Sequence, residues 1–244
     1  TGFNPIVNLL AKSHYRWGEK ADVVVRMPCG GGTQAGPFHS QSNEAWFFHT
    51  PGLKVVYPSN PYDAKGLLTA AIEDPNPVLF FEHKGLYRSV SGPLPSAYYS
   101  LPLGKAAVLK EGSKATIITY GMGVIWAKEV VEALGEPIEI IDLRTLWPLD
   151  EETLLSSVKK TGKVIVLHED TLTGGIGGEI SALISEKAFE YLDLQKGRAE
   201  WIQSMQAALN SFDAALSPTV PVYGPTIESV APGKERDEAF FAVN

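Results

Sequence analysis

The sequence is poor in sulfur, with one cysteine, Cys29, and three methionines among 244 residues. One cysteine excludes an internal disulfide framework and fits a reducing compartment, so we expect a cytoplasmic protein. No apolar run approaches the ~18 residues that a membrane-spanning helix needs. No signal-peptide pattern opens the chain either. Thr1 falls almost directly before a predicted helix, and we therefore expect a fragment that is truncated at its N-terminus.

Positive charge is also scarce. Lysine and arginine number 21 against 28 aspartates and glutamates, which gives a net charge of −7. Because the basic residues form no clusters, we expect neither a nucleic acid nor a membrane surface as a partner. Hydrophobic residues make up 44% of the chain, enough for a buried core and too many for a disordered protein.

Short valine- and isoleucine-rich runs alternate with helical patterns along the chain. Asn60 and Pro61 form a helix start signal, and Asp150 provides a second one. A helix after 121 should bury Ala127, Val130, Val131 and Leu134. Strands are predicted at 21–27, 53–57, 78–82, 115–120, 138–143 and 163–167, and helices at 1–17, 60–73, 150–160 and after 179. This alternation predicts an α/β protein with parallel strands, made of two three-layer α/β/α domains.

The segment 89–104, SVSGPLPSAYYSLPLG, has no periodicity and contains three prolines and two glycines. Such a composition is typical of a linker between domains. The predicted organisation is therefore a partial domain at 1–90, a linker at 91–104 and a second domain at 105–244. Within the second domain, 201–216 has a helical pattern and 219–223 a strand pattern.

The stretch 29–58 contains the first candidate site, a glycine run followed by His39 in Pro37–Ser42. Imidazole is both acid and base near neutral pH, so His39 is either a catalytic group or a solvated loop residue. His168 follows a strand at its carboxyl end, where open α/β sheets bind ligands. His49 is interpreted as structural, and neither His14 nor His83 has a supporting context.

Two other patterns allow alternatives. The turn at 174–179, GGIGGE, precedes a helix as a dinucleotide site would, but its spacing is not GxGxxG, which favours a tight turn or a subunit contact. Asp74–Pro75–Asn76 either ends a helix or offers oxygen ligands to a hard cation. Histidine and cysteine spacings give no sign of a transition-metal site.

Several motifs together resemble one family. They are PFHSQSNEAWFFHTPGLKVVYPSNPYDAKGLL, EDPNPVLFFEHKGLYR, ITYGMG, IDLRTLWPLD, VIVLHED and TGGIGGEI, in this order over about residues 3–193. The sequence resembles the beta subunit of the decarboxylating component of 2-oxo acid dehydrogenase complexes, which act on pyruvate or branched-chain 2-oxo acids. The form of the motif around His39 leans toward the branched-chain enzymes.

The resemblance implies a partial pyrimidine-binding domain for thiamine diphosphate, followed by a domain of the transketolase C-terminal type. It implies oxidative decarboxylation of a small 2-oxo acid and reductive acylation of a lipoyl group, in which His39 is the catalytic proton donor or acceptor. It also implies a structural potassium ion. Its ligands would be the carbonyls of Ala21, Val23, Val24 and Ala71 together with Asp74 and Asn76.

Partners and missing parts are implied in the same way. The family forms a heterotetramer of two alpha and two beta subunits and docks a lipoylated acyltransferase core. Its alpha subunit holds Mg²⁺ and the diphosphate, and the glutamate that activates the cofactor would lie before Thr1. We therefore expect no decarboxylation by this chain alone. The alternatives are a related thiamine enzyme, such as an acetoin dehydrogenase or a transketolase-like protein, and a non-catalytic assembly module.

Overall fold

The computed structural model describes residues 2–188 and 202–204. Residues 2–188 belong to one compact unit, and 202–204 are helical. The rest of the predicted 201–216 helix and the predicted 219–223 strand lie outside these ranges. No helix in the described ranges is both long enough and apolar enough to cross a bilayer.

The first sheet has four strands, which are β1 (Val24–Cys29), β2 (Lys54–Val56), β3 (Val78–His83) and β7 (Thr145–Trp147). Their order is β1-β3-β2-β7. The first three strands are parallel, as the sequence predicts, and β3 is buried along its whole length. β7 comes from the later part of the chain and pairs antiparallel with β2.

Helices connect and flank these strands. Helical turns at Pro5–Leu9 and Leu10–Lys12 lead into α1 (Ser13–Trp17), and α2 (Ala45–Phe48) and α4 (Leu86–Ser89) are short. The main crossover is α3 (Pro61–Glu73). Its predicted cap is confirmed, since the Asn60 side chain accepts a hydrogen bond from the Asp63 backbone at 2.9 Å.

The second sheet consists of β4 (Ala107–Lys110), β5 (Ala115–Thr119), β6 (Ile138–Asp142) and β8 (Val164–Leu167) in the order β4-β6-β5-β8. β5, β6 and β8 are parallel and β4 is antiparallel. The helices of this part are α5 (Met122–Leu134), α6 (Glu151–Thr161) and α7 (Ile176–Lys187). The predicted α/β class with two sheets is confirmed.

The face that α5 buries differs from the predicted one. Val124, Ala127 and Val131 are buried, whereas Val130 and Leu134 are 52% and 59% exposed. Glycine at 123 lets the first turn of α5 lie close to Thr119 and Leu167, and Val124 in this turn is therefore buried together with Ala127 and Val131. The predicted stripe contained two of the three residues and missed Val124.

The two sheets share one core. The Tyr57 ring stacks on Phe81 of the first sheet at 5.9 Å and meets Tyr120, which follows β5, edge-on at 5.1 Å. Leu79 and Phe81 pack in the same cluster as Ile118 and Ile141 of the second sheet. A continuous apolar interior of this kind holds the sheets in a fixed relation.

The proline-rich segment 89–104 is tied to α3. Lys65 donates to the carbonyl of Ala97 at 2.9 Å, and the Leu101 backbone donates to the carbonyl of Gly66 at 3.0 Å. The rings of Tyr99 and Tyr62 stack at 4.7 Å. The segment therefore runs across the first sheet's helix as a fixed strap, and the predicted domain boundaries around it stay a prediction.

Candidate functional site

Carboxyl ends of strands from both sheets meet at one place. Cys29 and His83 end β1 and β3, while Tyr120 and His168 directly follow β5 and β8. The residue after His168 is Glu169, and its side chain reaches across to the first sheet. The edge formed by strand carboxyl ends is where α/β proteins place their ligand-binding groups.

The Glu169 carboxylate lies at the centre of this edge. Its Oε2 accepts hydrogen bonds from Gly31 N at 3.0 Å, Ser42 Oγ at 2.8 Å and His83 Nε2 at 2.9 Å, and Oε1 accepts one from Gly32 N at 3.0 Å. Burial opposes the charged form, but these donors and the nearby imidazole outweigh it and hold the pKa of Glu169 below its usual value. The carboxylate is therefore an anion, and the loop after β1 binds it through Gly31, Gly32 and Ser42.

The tautomer of His83 follows from its second ring nitrogen. Gly85 N donates to Nδ1 at 3.1 Å, so Nδ1 is the acceptor and Nε2 carries the proton that it gives to Glu169. The ring is 3% exposed and lies against Gly30, where an added Cβ would come within 2.7 Å of Nε2. Sequence reasoning found no context for His83 because its partner is distant in the chain.

His39 stands at the outer end of the loop that Glu169 holds. The residue is exposed, as is the neighbouring Phe38 at 85%. The His39 carbonyl accepts from the Lys84 ammonium, and Ser40 Oγ accepts from Ala35 N at 2.7 Å. Within the described ranges the imidazole itself makes no hydrogen bond. The loop thus presents this ring outward while its backbone is tied down.

A buried polar cluster lies behind the loop. Tyr120 OH donates to Glu44 Oε1 at 2.7 Å, and Oε2 of this 1% exposed carboxyl group has no hydrogen-bond partner among residues 2–188 and 202–204. Burial raises the pKa of Glu44 to about 7. Next to it, Cys29 Sγ donates to Tyr57 OH at 3.0 Å, and burial raises the pKa of the thiol to about 12.

His168 packs beneath the glycine turn that precedes α7. Its ring is nearly parallel to that of Tyr120, at a centroid distance of 6.5 Å. A Cβ at Gly175 or Gly177 would come within 2.8 or 2.6 Å of this imidazole. The turn is therefore shaped by close packing on His168, which agrees with the tight-turn alternative. His49, in contrast, directly follows α2, and its Nδ1 is hydrogen-bonded to the carbonyl of Ala45 in that helix at 2.7 Å.

A pocket of about 490 Å³ lies on the first sheet, beside the cluster formed by Glu169 and its four hydrogen-bond donors. Leu68, Ile72 and Phe80 form apolar wall, and His83 is the residue that the pocket shares with the Glu169 cluster. The Arg26 guanidinium forms a bidentate pair with Glu82 in the same wall, at 2.5 and 2.8 Å. His39 does not line this pocket.

Among the residues implied for potassium, Ala71, Asp74 and Asn76 lie at the end of α3, and Ala21, Val23 and Val24 lie at the start of β1. Asp74 Oδ1 accepts from Asn76 N and Asn76 Nδ2, both at 2.9 Å, and Oδ2 is paired with the Lys54 ammonium. The carbonyls of Ala21 and Val23 accept from Val23 N and Val78 N at 2.8 and 2.9 Å. Carbonyls and a carboxylate are donors that hard cations take, but here Lys54 already neutralises the carboxylate. No group of three or more His, Cys, Asp or Glu residues suited to a metal occurs among the described residues.

Comparison with known proteins identifies both parts of the chain. The family model of the transketolase pyrimidine-binding domain matches residues 8–90, and that of the transketolase C-terminal domain matches residues 104–230. The chain is 48% identical to a 2-oxoisovalerate dehydrogenase subunit beta of Bacillus subtilis over 197 residues, covering 78% of this chain and 60% of that protein. It is 49% identical to a pyruvate dehydrogenase E1 component subunit beta of Acholeplasma laidlawii over 174 residues, covering 70% of this chain and 53% of the relative. The chain thus spans between half and two thirds of the length of these relatives.

One solved structure shows a related arrangement. It is described as a split gene transketolase, inactive beta4 tetramer, and superposes with a TM-score of 0.62 at 25% identity. The match covers 76% of this chain and 58% of that one. The two sheets and their connections therefore occur together in another protein of similar build.

Proposed function

The chain belongs to the transketolase family of pyrimidine-binding and C-terminal domains, and on that basis we propose that it acts as the beta subunit of a thiamine-diphosphate-dependent 2-oxo acid dehydrogenase. The proposed reaction is oxidative decarboxylation of a small 2-oxo acid with reductive acylation of a lipoyl group. Identities of 48% and 49% to branched-chain and pyruvate dehydrogenase beta subunits support it.

The observation that carries the proposal is the position of His39. Its imidazole is exposed on a loop whose backbone is tied down, at the edge where strand ends of both sheets meet. Thiamine diphosphate, when bound, supplies the electron sink for the carbon chemistry. His39 would contribute proton transfer to the lipoyl sulfur. The exposed imidazole can be reached by a second chain and by an incoming lipoyl arm, as this role requires.

The proposal includes the partners of such a subunit. Thiamine diphosphate would be shared with an alpha subunit that also holds Mg²⁺, and a second beta subunit and a lipoylated acyltransferase core would complete the assembly. An exposed imidazole that does not line the 490 Å³ pocket fits a cofactor held between two chains. We also propose the potassium ion at Asp74 and Asn76, with the carbonyls of Ala21, Val23, Val24 and Ala71 as further ligands.

A second candidate is an assembly module without chemistry of its own. The structural neighbour is described as an inactive beta4 tetramer, which favours an assembly role for this kind of chain. The first candidate is preferred because the Glu169 network holds the His39 loop in a defined conformation, which an assembly module would not need.

The test uses the full-length gene product co-expressed with its alpha chain. We expect reduction of an artificial electron acceptor with a 2-oxo acid and thiamine diphosphate, and acylation of an isolated lipoyl domain. The His39→Ala variant should acylate the lipoyl domain about 10²- to 10⁴-fold more slowly. The control is His14→Ala, another exposed histidine, which should leave the rate unchanged.

Two outcomes would contradict the proposal in different ways. If no 2-oxo acid reduces the acceptor in the assembled complex, the dehydrogenase proposal fails and the assembly module is the remaining candidate. If His39→Ala transfers acyl groups at the normal rate, the dehydrogenase remains but His39 is not its catalytic residue.

A further inference from the structure

We propose that Glu169 is a positioning residue for His39, acting by binding the neck of the loop that carries it. The inference rests on the proposed function for its catalytic consequence, and on the hydrogen bonds of Glu169 for its structural part. Glu169 follows β8 in the second sheet, whereas His39 belongs to the loop after β1 in the first.

The neck is where the loop leaves and rejoins the body of the protein. Gly31 and Gly32 lie on its outgoing side and Ser42 on its returning side, and one carboxylate accepts hydrogen bonds from all three. A further bond, from Gly30 N to the Gln41 carbonyl at 2.9 Å, closes the neck beside it. The outer part of the loop is tied internally, with Gln41 Nε2 donating to the Pro37 carbonyl at 2.8 Å. Fixing the neck therefore fixes the orientation of the whole loop.

Two consecutive backbone amides explain how an anion fits at the neck. Consecutive backbone N–H groups that point to one place form an anion-binding concavity. The amides of Gly31 and Gly32 each lie 3.0 Å from an oxygen of the Glu169 carboxylate. An added Cβ at either position would meet this side chain at 3.5 Å, which is ordinary contact, so the backbone amides and not the missing side chains make the site. The fourth donor, His83 Nε2, comes from the buried end of β3 and holds Glu169 from the inner side. The side chain is thus fixed between a rigid strand and the loop.

The charge and the shape of this group both matter. Four donors converge on two carboxylate oxygens. A glutamine has one acceptor oxygen with two lone pairs, so it satisfies at most two of these donors and turns its own N–H₂ toward the others. Aspartate keeps the charge but withdraws it by one methylene. Glutamine should therefore loosen the neck more than aspartate does.

The first arm of the experiment measures the loop without catalysis. Amide hydrogen exchange of the peptide spanning 30–42 is compared in the full-length wild-type protein and in Glu169→Gln, Glu169→Asp and Ser42→Ala. We expect exchange of this peptide to be fastest in Glu169→Gln and intermediate in the other two variants. Ser42→Ala removes one hydrogen bond to the carboxylate, and Glu169→Asp shortens the side chain by one methylene. The control is Glu151→Gln, because Glu151 is exposed and pairs with Lys187 on the outside of α6.

The second arm measures the reaction in the assembled alpha–beta complex. Because a displacement of about 1 Å can cost about 100-fold in rate, Glu169→Gln should slow lipoyl acylation by roughly 10- to 100-fold. It should slow the reduction of an artificial acceptor much less, as expected for His39→Ala. In the double variant, Glu169→Gln should add little to the loss caused by His39→Ala, since a group that only places the imidazole has no effect once the imidazole is gone.

The outcomes separate the positioning role from a general structural one. Unchanged exchange of 30–42 in Glu169→Gln overturns the proposal, and so do equal losses in both reactions that add to the loss caused by His39→Ala. If Glu169→Gln does not fold, Ser42→Ala and Glu169→Asp decide by the same criteria. If the wild-type complex shows no lipoyl acylation, the proposed function fails, and the exchange data still determine whether Glu169 orders the loop.

Discussion

His83 Nε2 lies 2.9 Å from Glu169 Oε2, across 86 residues of sequence. The histidine ends the central strand β3 of the first sheet, and the glutamate follows the edge strand β8 of the second. Because Gly85 N donates to the other ring nitrogen, Nδ1, the proton is on Nε2 and His83 is the donor in this hydrogen bond. The relation between the sheets at the candidate site is thus set by a directional polar contact in addition to apolar packing.

The buried Glu44 makes stability depend on pH. Its folded-state pKa of about 7 lies above the usual 4.5. The buried group therefore leaves the free energy of unfolding unchanged below pH 4.5 and lowers it progressively between pH 4.5 and 7. Above pH 7 the loss is constant. The cost is on the order of 3 kcal/mol, since one pKa unit corresponds to about 1.4 kcal/mol. In Glu44→Gln this cost is absent, and the melting temperature relative to wild type should rise by roughly 5–10 °C between pH 4.5 and 7.5.

Thermal unfolding at several pH values measures this difference. The absolute effect of Glu44→Gln includes the unpartnered N–H₂ that replaces Oε2, so the pH slope is the decisive quantity. Asp170 and Glu169 also raise the pKa of Glu44, and the Tyr120 hydroxyl opposes them. The control is Glu129→Gln on the exposed side of α5. A melting difference that does not change with pH would show that Glu44 is not held neutral.

Cys29 should be unreactive in the folded protein. The thiolate is the reactive form, and a pKa of about 12 leaves only about 10⁻⁴ of the thiol ionised at pH 8. A disulfide reagent should therefore modify the native chain at least about 100-fold more slowly than the denatured one. Because burial is the main cause of the raised pKa and Tyr57→Phe leaves the thiol buried, this variant should keep the slow reaction. Native modification at the denatured rate would disprove this burial.

Potassium should compete with Lys54 for Asp74. If the proposed ion binds, KCl raises the melting temperature above that in NaCl of equal concentration. The effect should be larger in Lys54→Met, because the ammonium no longer occupies Oδ2. It should vanish in Asp74→Ala. Identical melting in both salts, for wild type and Lys54→Met alike, would mean that no potassium site exists here.

Local signals predicted much of the architecture. The caps at Asn60 and Asp150 were predictable because each depends on residues three positions apart. The parallel pair β2 and β3 followed from the length of the crossover. The exposed face of α5 was predicted less well, since hydrophobic spacing alone does not reveal that Gly123 allows close approach at the helix start.

The candidate site divides in the same way. His39 was identified by its loop and by family resemblance, and the glycines before it by their permissive backbone. Glu169 was missed, although its position after β8 is a recognisable signal, because nothing in the sequence shows that Gly31, Gly32, Ser42 and His83 converge on it. Contacts over such distances depend on how the two sheets pack together.

The pairing of β7, from the later part of the chain, with the first sheet has a consequence for protein engineering. Val55 and Val56 find their edge partners in Trp147 and Thr145, beyond the strap that divides the sequence. A chimaera that joins residues 1–100 of this chain to the remainder of a homologue would receive a foreign edge strand and a foreign side chain at position 145. Exchangeable units in this fold should therefore be defined by which strands hydrogen-bond together. A cut within the strap at 89–104 separates β2 from its partner strand β7.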